Sequence, residues 1–492
     1  MNILKSLSII FLGLIFGLGT LQAGELQLDA SYGKVPAVTF GQMRHCRIYS
    51  DELKGYLTVD IWLPPAYESD AHKHFPVIYM HDGQNLFDPA LSFAGAAWEI
   101  DATLEKLIGR DIVNAPIVVG IHNRATFRPS DYIPERPVME YISEDDRDAS
   151  GMWELTGNKF YADEYLAFLV NTLKPEIDRL FRTLPDCGST SIMGSSMGGL
   201  ASLYAMCEYP QVFGCAACLS THWIGNFDYD NTIFPNAMLA YIADHLPDPA
   251  SHRLYLDRGT IDLDSSYENW ERQARDLVRS KGYTEDSGNF LCMTDEGASH
   301  NEIYWALRVD VPLHFILHSD DNPYIPEVPE LQAFHVIFQD ASKPWSKVNA
   351  FAWAPGVLQL GAWPGKAMTE IEYEGGKAWE IKFSHKVAPA NIIFNNGSSQ
   401  TKDLDFKPDM VYDFSGPLKN ITSGISEIVD SSGLKIFVRG GMLQIESEKD
   451  MEIPLYSLEG LQRRLRLFRG LNVIGNLPAG IYFLYDKKIL IP

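Results

Sequence analysis

Ser191-Ile192-Met193-Gly194-Ser195-Ser196-Met197-Gly198-Gly199-Leu200 decides how the rest of the chain is read. Within it, Gly194-Ser195-Ser196-Met197-Gly198 fits the pattern G-x-S-x-G. An apolar run with β-branched residues precedes it, and a helix-forming run from Leu200 to Cys207 follows. A strand that turns sharply into a helix holds its apex serine in a strained backbone, with Oγ above the sheet. The flanking glycines leave room for that turn. The helix N-terminus aims N–H groups and a positive dipole end at whatever sits beside Ser196. Ser196 is therefore the candidate nucleophile. A base, an acid and an oxyanion site must be found elsewhere, with acid and base following in the order Ser, Asp/Glu, His.

Outward from that stretch, apolar strands alternate with helical patterns. Leu57, Val59, Ile61 and Leu63 alternate as a strand with one buried face, and the residues from about Gly24 to Tyr56 read as irregular. Pro76–Met80 and Pro116–Ile121 read as strands, the second apolar throughout, like a parallel strand covered on both faces. Leu166, Leu169, Val170, Leu173, Ile177 and Leu180 fall at helical spacing, with a kink expected at Pro175. Phe213–Leu219, Arg253–Leu256 and Phe290–Met293 complete the strands, and Tyr267–Arg279 reads as a helix. This alternation predicts an α/β domain with a mainly parallel, doubly wound sheet. Arg124 to Gly157 lacks periodicity and reads as a long polar loop of functional kind.

The base candidate is His300, in a loop after the last strand, where imidazole can take the Ser196 proton and return it to a leaving alcohol. His81, His122 and His222 also lie near strand ends and are the reserves. The acid candidate is Asp262, 66 residues after Ser196 and 38 before His300, with Asp257 and Asp264 as close competitors. The backbone N–H of Met197 supplies one oxyanion donor. The loop after Met80, around Gly83 and Gln84, supplies the second.

Composition bounds the chemistry. The chain of 492 residues predicts more than one domain, and 46% hydrophobic with 21% charged residues is ordinary for globular ones. A formal net charge of −23 repels phosphate backbones, so nucleic acid is excluded as a partner. Lys5, the apolar run Leu7 to Leu18 and Leu21-Gln22-Ala23 predict a signal peptide over 1–23, hence a secreted or cell-surface protein that is not integral to a membrane. Six cysteines are too few for a disulfide scaffold, and Cys215 and Cys218 read as buried thiols of a strand. No metal and no organic cofactor is implied.

Several separated pieces resemble one family. Tyr79-Met80-His81-Asp82-Gly83-Gln84-Asn85-Leu86-Phe87-Asp88, Val118-Val119-Gly120-Ile121 with Arg128 and Tyr132, Gly194–Gly199, Gly259-Thr260-Ile261-Asp262 and Gly297-Ala298-Ser299-His300-Asn301-Glu302 resemble the esterase D/feruloyl esterase family, a branch of the α/β-hydrolases that includes carbohydrate esterase family 1. The resemblance covers roughly residues 56–317. It implies a Ser196–Asp262–His300 triad and ester chemistry, with feruloyl or acetyl groups on carbohydrate as the substrate class. Arg128, Tyr132 and Trp153 are the candidate pocket wall for acyl group or sugar. An acyltransferase with the same triad, or a glycan-binding surface protein with a vestigial hydrolase domain, is the alternative.

Past a linker at 323–330, which closes the α/β-hydrolase domain of 24–322, the helical pattern stops. Residues 331–416 read as a small β-sandwich-like domain. Trp345, Val348, Phe351-Ala352-Trp353, Trp363-Pro364-Gly365-Lys366-Ala367-Met368, Ile392-Ile393-Phe394-Asn395-Asn396-Gly397 and Gln400-Thr401 resemble the starch-binding carbohydrate-binding module of family 26. The resemblance implies an α-glucan or other glycan partner held by Phe351, Trp353, Trp363 and Gln400, with Trp345 and Phe394 in the core. Residues 424–492 form a second β unit. There, Asn476-Leu477-Pro478-Ala479-Gly480-Ile481-Tyr482 and Lys487-Lys488 resemble the sorting domains of type IX secretion cargo.

Overall fold

Leu57, Val59, Ile61 and Leu63 lie on strand β2 (Gly55–Leu63) of an eight-stranded sheet in the computed structural model. The structure describes residue 26, residues 33–318, 328–343 and 345–421. Of the C-terminal segment it describes 428–429, 434–439, 442–457, 462–474, 477, 480–484 and 487–491. The expected signal peptide and most of the linker fall outside the described residues. The chain divides into two units at Val328 and Pro329.

The sheet of the first unit has the order β1-β2-β4-β3-β5-β6-β7-β8. Its other strands are β1 (Gln42–Ser50), β3 (Val77–Met80), β4 (Ile117–Ile121), β5 (Thr190–Ser195), β6 (Cys215–Leu219), β7 (Arg253–Arg258) and β8 (Phe290–Thr294). Strands β3 to β8 are mutually parallel, and β1 and β2 add antiparallel at one edge. β1 corrects the expectation of an irregular segment before Tyr56. Its charged residues, Arg44 and Arg47, hid a strand whose inward face is Cys46 and Ile48, both fully buried.

Along β3, Val77 and Tyr79 enter one hydrophobic core while Ile78 and Met80 enter the other. Both faces of the sheet are thus covered, as the unbroken apolar runs required. Cys215 and Cys218 divide between the same two cores as free thiols. After β3 the chain steps to β4 on one side, then crosses back to β5 on the other. The strand order reverses there, and in open α/β sheets such a reversal marks where ligands bind, outside the carboxyl ends of the strands.

Residues 124–157 are not one open loop. They fold into short helices, among them Arg128–Tyr132, Glu135–Tyr141 and Met152–Leu155. The segments are too short to give a readable period. The kink expected at Pro175 is a π-helical turn, Phe168–Leu173, just before the helix Lys174–Leu180; proline's missing N–H breaks the α-helical ladder there.

In the second unit, a sheet containing β9 (Gln332–Phe338) and another containing β10 (Asn349–Ala354) share a core of Val336, Phe338, Ala350, Ala352, Ile392 and Phe394. Two further sheets, between residues 428 and 491, share a separate core around Leu443, Ile445, Ile453, Leu455, Leu465 and Leu467.

Candidate functional site

Ser196 stands between β5 and helix α1 (Met197–Glu208) with φ 59° and ψ −124°. Positive φ is costly for serine and persists only where the surroundings enforce it. The Ser196 N–H donates to Leu219 O at 2.9 Å, and Ser196 O accepts from Gly199 N at 3.0 Å and His222 N at 3.1 Å. Ser196 is half-buried while its neighbours from Thr190 to Leu200 are buried. Met197 opens α1, so its N–H has no carbonyl a turn earlier to receive it, as an oxyanion donor requires.

His300 Nδ1 lies 2.5 Å from Asp264 Oδ1, not against Asp262. The expected acid is thereby corrected by two positions. A 3-10 turn, Asp262–Tyr267, carries Asp264 inward to complete burial and leaves Asp262 exposed, where its carboxylate accepts from Ser299 Oγ. Asp264 Oδ2 also accepts from Ser220 Oγ at 2.6 Å and Gly259 N at 2.5 Å. Burial opposes ionisation of Asp264, but the His300 hydrogen bond and charge, the Ser220 hydroxyl and the Arg308 charge hold its carboxyl below the usual range. A Cβ on Gly259 would lie 2.1 Å from Ala298 O, so only glycine lets the loop after β7 close onto the loop of His300.

Behind the acid stands a network that the sequence did not signal. Ser220 Oγ accepts from Arg308 at 2.8 Å and from Trp305 Nε1 at 3.0 Å. Fully buried Arg308 forms a two-pronged pair with Asp257, at 3.0 and 2.9 Å. Asp257, a weighed competitor for the acid, is thus spent on Arg308. Spacing alone could not separate it from Asp264.

On the opposite side of Ser196, Asp82 adopts a left-handed conformation, φ 55°, and introduces a 3-10 turn, Gly83–Asn85. A Cβ on Gly83 would meet the Gly120 carbonyl carbon at 2.5 Å, so this loop sits directly on β4. Gln84 Oε1 accepts from Asn123 N at 3.2 Å. Arg128 grips both Asp82 oxygens at 2.8 Å, and Asn123 Nδ2 donates to Asp82 Oδ1 at 2.7 Å. Burial alone would raise the Asp82 carboxyl; the Arg128 charge and these hydrogen bonds hold it low.

The expected pocket wall is redistributed. Tyr132 is fully buried, and its hydroxyl accepts the Asp82 N–H at 3.2 Å, so it supports the Asp82 loop rather than lining a pocket. Arg128 keeps partial exposure but commits its guanidinium to Asp82. Trp153 packs edge-on against Phe160, at 5.2 Å between ring centres, beside the core. Of the reserve histidines, His122 Nε2 sits 2.6 Å from Asp60, and His81 Nδ1 sits 2.9 Å from the Tyr165 hydroxyl.

Ser196 and His300 share the carboxyl end of the sheet. His222, whose N–H reaches the Ser196 carbonyl, and His300 flank the same ring, Tyr267, at 5.8 and 5.7 Å. The set of a strained serine, an imidazole oriented by a buried carboxylate, and helix-start amides suits acyl transfer.

In the second unit, Ala350, Ala352 and Ala354 of β10 point inward, and Asn349, Phe351 and Trp353 occupy its half-buried outer face. Trp363, 50% exposed in a cis-proline turn, stands edge-on to Phe351 at 5.5 Å. Gln400 is exposed and bridges Asn395, which pairs with Asn349 on that outer face. Phe394 is fully buried and stacks on Phe338 at 4.7 Å, and partly buried Trp345 stacks on Phe338 at 5.6 Å, both in the core as expected.

Residues 336–406 match the family Starch-binding module 26. The chain is 25% identical over 263 residues to the uncharacterized protein YbbA of Bacillus subtilis (strain 168), covering 52% of this chain and 90% of that one. Among solved structures it is similar to a ferulic acid esterase, with 16% identity, a TM-score of 0.42, and coverage of 56% of this chain and 98% of that one. It is also similar to an enterobactin esterase from Shigella flexneri, with 14% identity, a TM-score of 0.42, and coverage of 57% and 60%. Residues 50–307, more than half of the chain, match the family described as Putative esterase and span the serine elbow, the Asp264–His300 pair and the Asp82 loop; the chain belongs to that esterase family.

Proposed function

We propose that this protein is a secreted serine carboxylester hydrolase that removes feruloyl- or acetyl-type acyl groups from carbohydrate, and that its second unit anchors it to α-glucan or a related glycan. The observation that carries the reading is the Asp264–His300 pair at the same sheet end as a serine held at positive φ. Ser196 Oγ attacks the ester carbonyl carbon, and its proton passes to His300 Nε2. Negative charge gathers on the carbonyl oxygen, where the amides of Met197 and of the Gly83–Gln84 turn receive it. The carbon–oxygen bond to the alcohol breaks, and His300 returns the proton to that alcohol. Water then repeats the sequence on the acyl-serine, releasing acid and restoring Ser196. Asp264 holds the imidazole tautomer throughout.

The match to a starch-binding module, with Phe351, Trp353 and Trp363 on one face, supports a glycan anchor. The N-terminal pattern of residues 1–23 and the sorting-like tail support export. No helix among the described residues is long and apolar enough to cross a membrane.

The test is release of p-nitrophenol from a short acyl ester by the full chain. Ser196→Ala is expected to lower kcat by on the order of a millionfold, to the assay floor. Turnover by Ser196→Ala equal to wild type overturns the mechanism.

A further inference from the structure

Asn85 takes no part in the proton transfers above, yet it joins the two loops between which they occur. It closes the Gly83–Asn85 turn, its N–H donates to Asp82 O at 2.9 Å, and its side chain is buried. Asn85 Oδ1 accepts from Phe93 N at 3.0 Å, and Asn85 Nδ2 donates to Glu302 Oε1 at 3.0 Å. The first bond orients the amide. A backbone N–H can only donate, so the oxygen end faces Phe93 and the nitrogen end faces Glu302.

Glu302, also buried, opens a short helix, Glu302–Ala306, two residues after His300. The two bonded side chains are 217 residues apart in the chain. Their loops also leave the sheet apart from one another. One follows β3 and the other follows β8, with β5, β6 and β7 between. Glu302 senses both loops. Burial first, with the Asp82 charge, raises its carboxyl, and the charges of His300 and Arg128 oppose them. A second path runs beside the first. Asn85 O accepts from Trp98 N at 2.9 Å, Trp98 meets Trp305 at 5.6 Å between ring centres, and Trp305 meets His300 at 5.1 Å.

We propose that Asn85 is a positioning residue for ester cleavage, and that through Glu302 it fixes the spacing between the Gly83–Gln84 amides and the His300 imidazole. This rests on the esterase reading above. In that reading, charge is received at one loop while a proton moves at the other, within a single step. A shift of about 1 Å between the two then costs on the order of a hundredfold in rate.

The test uses the full chain, p-nitrophenyl acetate as substrate and phenylboronic acid as inhibitor, whose tetrahedral adduct on Ser196 resembles the charged intermediate. Asn85→Asp keeps the size of the side chain and the acceptor for Phe93 N, but sets two buried carboxylates against each other. It is expected to lower kcat about a hundredfold and to weaken phenylboronic acid about tenfold or more, with KM within about threefold of wild type. Combining Asn85→Asp with Glu302→Gln reverses the bond, an amide at position 302 donating to a carboxylate at position 85. This pair is expected to recover kcat to within about fivefold of wild type. Glu302→Ala removes the acceptor without adding charge, is expected to lower kcat about tenfold or more, and decides the matter if Asn85→Asp does not fold. Wild-type kcat and phenylboronic acid affinity in folded Asn85→Asp or Glu302→Ala protein overturn the proposal. So does a double variant that regains the wild-type Tm without regaining kcat. Wild-type protein inactive on the ester, with Ser196 unlabelled by a fluorophosphonate, fails at the esterase reading instead.

Discussion

Asp262 and Asp264 sit two positions apart on one 3-10 turn, and the turn decides which of them meets His300. Exposed Asp262 bonds Ser299, a neighbour of the histidine, while Asp264 bonds the imidazole itself. Asp264→Asn is expected to lower kcat/KM on the order of 10⁴-fold, because an amide no longer fixes the tautomer that accepts the serine proton. Asp262→Asn is expected to stay within about tenfold of wild type, since it touches only the loop. Steady-state kinetics of the two variants on one ester separates them, and the reverse ranking sinks the assignment. In sequence, the two carboxylates differ only in phase. Ser196 and His300 were legible because chain order and strand ends mark them. The acid was not, because a 3-10 turn carries no hydrophobic period over so few residues. The same holds for Tyr132: its place near the site could be read, but its burial beneath the Asp82 amide could not.

At the scale of the element, β10 shows alternation separating a core face from an outer one. Its inward positions are all alanine, so the two sheets approach closely, and its large aromatics go outward. A strand built to fill a core would place those rings inside. Gly365, at φ 85°, brings the Trp363 turn against β10; a Cβ there would lie 2.1 Å from Ala350 O. Trp363→Ala in the full chain is expected to weaken retention on insoluble starch by roughly tenfold, the scale of one aromatic anchor. Its Tm is expected to hold within about 2 °C, because the ring is half exposed and outside the core cluster. Unchanged retention with an intact fold removes Trp363 from the glycan face. The aromatic spacing is readable in the sequence. The helices within 124–157 were not, because each is shorter than two helical periods.

Over the whole molecule, charge is shared unevenly. The chain carries −23, yet the ground behind the site holds Asp257, Asp264, Asp295 and Glu271 against Arg258 and Arg308, all buried. One acid there is left short of partners. Burial first, then the Asp257 charge, pushes Glu271 up to about 8, and its Oε2 has no hydrogen-bond partner among the described residues. A carboxyl raised in the folded state stabilises below its unfolded pKa of about 4.3, and that contribution is lost as pH rises toward 8. Between pH 6.5 and 7.5, urea unfolding of the first unit is expected to lose roughly 1 kcal/mol more in wild type than in Glu271→Gln. Equal slopes would mean that Glu271 is ionised in the fold. By itself the sequence determined the parallel sheet, the serine elbow, the histidine loop and the aromatic spacing of the segment that matches a starch-binding module. Each is written as a local period or a turn that a short stretch can specify. Tertiary structure alone decided which aspartate meets His300 and that Arg128 and Tyr132 hold the Asp82 loop. Those depend on which side chains converge from strands far apart in the chain, and no local pattern encodes that convergence.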